Sequence, residues 1–103
     1  MMKEYEDISD EELIRRAQNG EKKLEELLID KYKGMVLKKA HAMFLIGGEQ
    51  EDLIQEGMIG LFRAVRDYRP EKGASFATFA SLCVERQIYK AIAVSYTHLT
   101  LPT

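Results

Sequence analysis

Two glycines, Gly57 and Gly60, fall inside a stretch where Leu53, Leu61, Ala64 and Val65 recur at three- and four-residue steps. Each glycine costs a helix interior about 1 kcal/mol relative to alanine. A helix that keeps both on its apolar stripe is expected to lie close against another helix. That expectation constrains the chain more than any other feature, because it demands a packed helical domain rather than an isolated amphipathic helix.

The remaining helix signals agree. Ser9 stands at an N-cap position with Glu12 three residues on, a capping-box spacing. Leu13, Ile14 and Ala17 form an apolar stripe that Gly20 ends. A second helix is predicted over about 21–32, with Leu24, Leu27, Leu28 and Tyr32 on one side, and it continues through Met35, Val36, Ala40, Met43 and Phe44. "IGGEQ" interrupts it. The glycine-bearing helix is predicted over about 49–68. "RPEKGA" follows as a loop, and Ser75 caps a last helix from Phe76 to about Ile92. "ASFATFASLCV" has strand propensity, but Phe76, Phe79, Ala80 and Cys83 follow a helical period. The expected fold is all-α, a small orthogonal bundle of four to five helices.

Several function classes are set aside. The apolar stretches are too short for a membrane span, and the acidic start "MMKEYEDISDEE" has no signal-peptide core. The single cysteine, Cys83, permits no internal disulfide and fits a reducing, cytoplasmic compartment. His41 and His98 have no Cys/His cluster around them, so neither a metal nor any other cofactor is expected. No nucleophile motif or phosphate loop is present, and the chain reads as a non-enzyme. The Asp52/Glu56 carboxylate pair at i, i+4 reads as a solvated or partner-binding pair rather than an acid–base pair.

Charge is distributed unevenly. Residues 49–62 hold four acids and no base, whereas 63–92 hold six bases and three acids. Asp52, Gln55, Glu56, Ile59 and Arg63 share one helix face, acidic at its start and interrupted by an apolar residue. Such a face suits docking on a basic helix of another protein; an ordinary solvent face is the alternative. Arg63, Arg66, Arg69, Lys72, Arg86 and Lys90 flank Phe76, Phe79 and Tyr89. Basic groups meet phosphates and aromatic rings stack on unpaired bases, a combination that fits single-stranded or melted nucleic acid. Alternatively, the two phenylalanines belong to the core.

The run "EDLIQEGMIGLFRAVRDYRPEKGASFATFASLCVERQIYKAI" resembles region two of bacterial sigma factors of the sigma-seventy family, and "DEELIRRAQNGEKKLEELLIDKYKGMVLKKAHAMFLIGG" resembles the segment before it. The likeness is to sigma-H-like, sporulation-type members. It implies a transcription initiation factor that binds the β′ coiled coil of core RNA polymerase and recognises the promoter. By match, Asp52, Gln55, Glu56 and Met58 would meet the polymerase, with Ile59 of the same helix face beside them. Phe76 and Phe79 would hold the flipped non-template base of the minus-ten element. Arg86 and Tyr89 would face its upstream edge, and Lys72 and Lys90 would contact phosphates. An anti-sigma factor is a further implied partner. Leu82 and Cys83 stand where housekeeping members carry a tryptophan pair, which favours an alternative factor.

After Lys90 charge vanishes, and "VSYTHLTLPT" resembles the translation of a transposase adapter used in sequencing libraries. The expected organisation is therefore a region-two domain with its preceding helices over 1–92 and a non-native tail over 93–103. Such a chain would bind β′ yet initiate poorly at specific promoters, for want of the family's second DNA-binding domain. Two other classes compete. A helix-turn-helix DNA regulator would need base-reading clusters, for which only Arg86 and Gln87 offer themselves. A helical adaptor would leave the basic, aromatic half unused.

Overall fold

The computed structural model describes residues 8–45 and 49–100, with side chains as far as Ala93. Among the described residues four α-helices follow one another: α1 Asp10–Gln18, α2 Lys22–Phe44, α3 Gln50–Asp67 and α4 Phe76–Thr100, with a 3₁₀ turn at Pro70–Lys72 between the last two. No strand occurs among the described residues. The all-α expectation holds.

Local chemistry sets the boundaries. Ser9 is extended, and its Oγ accepts from the N–H of Glu12 at 3.2 Å. The Glu12 carboxylate turns to Arg15 and Arg16 instead of returning to Ser9, so half of the expected capping box forms. Gly20 takes φ 106°, a left-handed conformation that ends α1 without strain. α2 is one continuous helix of 23 residues, and its Gly34 faces open space. Tyr68 and Arg69 are extended ahead of Pro70, as a residue preceding proline prefers. Ser75 Oγ accepts from the N–H of Thr78 at 3.2 Å, forming the predicted cap of α4.

The end of α4 differs from expectation. The helix continues past Ile92 to Thr100. Neither glycine nor proline occurs between Phe76 and Thr100, so nothing in that stretch breaks a helix, and Pro102 is the first residue that cannot continue one. The side chains of the expected tail beyond Ala93 lie outside the described residues, as do the start of the chain (1–7) and the Ile46–Gly48 interruption.

α3 packs against both α2 and α4. The two glycines make this possible. A Cβ on Gly60 would lie 2.8 Å from the carbonyl oxygen of Cys83 and 3.0 Å from the Cα of Val84. One on Gly57 would lie 2.8 Å from Val36 Cγ1 and 3.2 Å from Ile88 Cδ1. α3 therefore meets the backbone of α4 directly. Around that contact the core gathers Leu28 and Val36 of α2, Leu53, Leu61 and Val65 of α3, and Phe76, Val84 and Ile88 of α4, with Leu13 and Ile14 of α1 completing it.

Candidate functional site

With Leu53, Gly57, Gly60, Leu61 and Ala64 turned inward, the opposite side of α3 faces solvent. Asp52, Gln55, Ile59 and Arg63 all stand there, as the helical period predicted. Phe62 joins them: it is 41% exposed, as is Ile59. Phe62 was legible as a member of this face, seven residues after Gln55 and three after Ile59. The two expected contacts at its edges are less open. Met58 is half-buried against the core. Glu56 is half-buried, and its Oε1 accepts from Gln87 Nε2 of α4 at 2.7 Å.

On α4 the positions that pack inward are Phe76, Ala80, Val84, Ile88 and Ile92, each four residues from the last. Leu82, Arg86 and Tyr89 are exposed, at i, i+4 and i+7 of one outward face, and Lys90 is exposed beside them. Tyr89 is 57% and Leu82 47% exposed. Lys72 is exposed in the turn before the helix. Cys83 lies half-buried toward α3, where burial and the Asp67 carboxylate push its thiol up, with Arg86 acting the other way.

Phe76 requires a correction. It is wholly buried, with its ring edge-on to Tyr32 at 5.2 Å and to Tyr68 at 5.5 Å between centroids. A ring enclosed in this way is part of the core and cannot stack on a nucleotide base without leaving it. Phe79, its ring centroid 5.7 Å from that of Tyr68, is only half-buried. The basic, aromatic surface is thus made by Phe79, Arg86, Tyr89, Lys90 and Lys72. Ion pairing binds its rear to the bundle, since Lys39 of α2 pairs with Glu85 of α4. Among the described residues no group of three or more His, Cys, Asp or Glu side chains is placed to hold a metal ion, and no helix is long and apolar enough to cross a membrane.

Two outward faces, one acidic and apolar on α3 and one basic and aromatic on α4, are therefore carried by helices in backbone contact. The family model for Sigma-70 region 2 matches residues 28–94, which include both. The chain belongs to the sigma-70 family. This region-2 chain is 41% identical over 95 residues to the RNA polymerase sigma-H factor of Bacillus subtilis, covering 92% of itself and 44% of that relative. It is 42% identical over 95 residues to the RNA polymerase sigma-H factor of Bacillus licheniformis, covering 92% of itself and 43% of the relative. The RNA polymerase sigma-E factor of Clostridium acetobutylicum is 33% identical over 79 residues, covering 77% of this chain and 34% of the relative. The sigma-70 chain thus spans less than half the length of these relatives.

Proposed function

We propose that this chain is the region-2 part of an RNA polymerase sigma factor of the alternative, sporulation type, working in the cytoplasm in transcription initiation. Its α3 face, with Asp52, Gln55, Glu56 and Ile59 and with Met58 beneath, docks on the β′ coiled coil of core RNA polymerase. Phe79, Arg86 and Tyr89 of α4 meet the non-template strand of the minus-ten element, while Lys72 and Lys90 hold phosphates. An anti-sigma factor covering either face would silence it. The observation that carries this reading is the 41% identity, over 92% of the chain, to the Bacillus subtilis RNA polymerase sigma-H factor. The physical support is the sorting of charge, with acidic residues and exposed Ile59 and Phe62 on one helix and exposed Arg86, Tyr89 and Lys90 on the next.

The test is a pull-down of the full chain with the isolated β′ coiled-coil fragment, beside an Asp52→Lys variant. Asp52 is exposed, so reversing its charge leaves the core untouched. Retention of the wild-type chain and loss of the variant is the expected result. No retention of a chain that is folded by circular dichroism overturns the polymerase half of the reading.

A further inference from the structure

α1 reaches each of the other three helices through a different polar side chain. Asp10, in its first turn, accepts from Lys31 Nζ at 2.6 Å and from the Tyr32 hydroxyl, both on α2. The next residue, Glu11, offers Oε2 to the backbone N–H of Phe76, the first residue of α4, at 3.2 Å. At the far end of α1, Gln18 Nε2 lies 2.9, 3.2 and 3.0 Å from the carbonyl oxygens of Val65, Arg66 and Tyr68, where α3 ends. The first N–H groups and last carbonyls of a helix have no partner within it. Here α1 supplies partners for the end of α3 and the beginning of α4 at once. The negative carboxylate stands at an N-terminus, where the helix dipole favours it.

Glu11 and Gln18 are seven residues, two turns, apart on one face of α1, which separates them by about 10 Å along its axis. Between the points they hold runs the bend 69–75, whose residues are exposed except for half-buried Ala74. Its own fixings include the left-handed Gly73, the N–H groups of Lys72 and Gly73 donating to the carbonyls of Arg69 and Pro70 at 3.1 Å, and the Tyr68 hydroxyl, which donates to the Ala74 carbonyl at 2.7 Å. Neither Glu11 nor Gln18 is buried, and Leu13 and Ile14 already anchor α1 in the core. The two polar side chains therefore do something other than attach α1. They fix both ends of the bend.

We infer that Glu11 and Gln18 are positioning residues for the basic, aromatic face of α4. By gripping the last turn of α3 and the first turn of α4 they set the direction in which α4 leaves the bend, and so where Arg86 and Tyr89 stand relative to the α3 face. They touch neither partner themselves. The inference rests on the proposed function for what that face binds.

The test compares the wild-type chain, the double variant Glu11→Ala/Gln18→Leu and the single variant Glu11→Gln, which keeps an acceptor for the Phe76 N–H. Three quantities are read: affinity for core RNA polymerase, affinity of the resulting complex for a fluorescent random-sequence single-stranded DNA, and amide exchange along α4 in the free chain. For the double variant, polymerase affinity should stay within about twofold while DNA affinity falls about tenfold, the scale of one lost charge-assisted hydrogen bond. Exchange at 76–79 should quicken about tenfold on the same grounds, with 84–92 unchanged. Glu11→Gln, which keeps both Gln18 and an acceptor for the Phe76 N–H, should lie much nearer the wild-type chain in both. Unchanged DNA affinity in the double variant overturns the inference. So does a parallel fall in polymerase and DNA affinity, which marks a merely structural role. A wild-type complex that binds no DNA refutes the proposed function instead, and unchanged exchange at 76–79 then still refutes the grip of α1 on the bend.

Discussion

Gln87 Nε2 of α4 donates to Glu56 Oε1 of α3 at 2.7 Å, so a carboxylate at the edge of the acidic face is already engaged by the neighbouring helix. Asp52, four residues earlier, is exposed. Reversing the charge of the two should have different consequences. Glu56→Lys should lower thermal stability by about 0.5–1.5 kcal/mol, the net worth of one hydrogen bond, and weaken polymerase binding as well. Asp52→Lys should weaken binding while costing stability only through the dipole of α3, whose first turn it occupies, about 0.3–1 kcal/mol and screened by added salt. Melting curves run in added salt beside the coiled-coil pull-down separate the two, and identical stabilities for both variants would contradict the bridge.

The glycines divide by what surrounds them. Gly60→Ala places a methyl group against the Cys83 carbonyl and the Val84 Cα, both backbone atoms that no side-chain rotation can move aside. It should destabilise the domain by about 1–3 kcal/mol. Gly34→Ala meets nothing within 4 Å and gains helix propensity, for a stabilisation of about 0.5–1 kcal/mol. Urea titration of both variants measures the opposite signs.

Two aromatic residues of α4 should respond to truncation in opposite ways. Phe76→Ala empties a site enclosed by Tyr32 and Tyr68, at a cost of about 3–5 kcal/mol, a large share of the stability of so small a domain. Tyr89→Ala, at 57% exposure, should change stability by less than about 0.5 kcal/mol. Its effect belongs in DNA affinity, about 1–3 kcal/mol for a stacked base. A Tyr89→Ala variant with full affinity for single-stranded DNA would remove this ring from the proposed contact.

Alkaline stability follows from Tyr32. Burial first, and then the Asp10 carboxylate that accepts its hydroxyl, raise its pKa above the ordinary value of 10.0. Above that pH the unfolded chain gives up the phenolic proton while the folded chain retains it. The contribution is fully present below about pH 10 and is lost as the pH climbs toward the higher folded value. Burial raises Tyr68 in the same direction. Denaturation midpoints should therefore fall from about pH 10 upward, and Tyr32→Phe should make that fall shallower.

Much of this was readable in the chain. Ser9, Gly20 and Ser75 mark helix ends because capping and left-handed turns are local chemistry. Gly57 and Gly60 announce a close approach because a buried glycine in a helix needs a reason. The outward face of α3 follows from its period alone. The four-residue rhythm of Phe76, Ala80, Val84 and Ile88 held the signal that Phe76 is core, but base-stacking rings and core rings share a composition, and only the packing of Tyr32 and Tyr68 around it decides. The grips of Glu11 on Phe76 and of Gln18 on the end of α3 span 65 and 47 residues. No local pattern encodes such pairings. They exist only once Leu13 and Ile14 have seated α1.

The contact at Gly60 also has a mechanical meaning. Side chains between two helices act as compliant washers: they change rotamer, and the helices slide. Where the carbonyl of Cys83 and the Cα of Val84 rest directly on a bare helix, no such washer exists. The gap between the acidic face and the aromatic face is then a gauge cut into the main chain. Anything seated on one face finds the other at a set spacing where the two helices touch, while the direction α4 takes through that point is left to the grips on the bend.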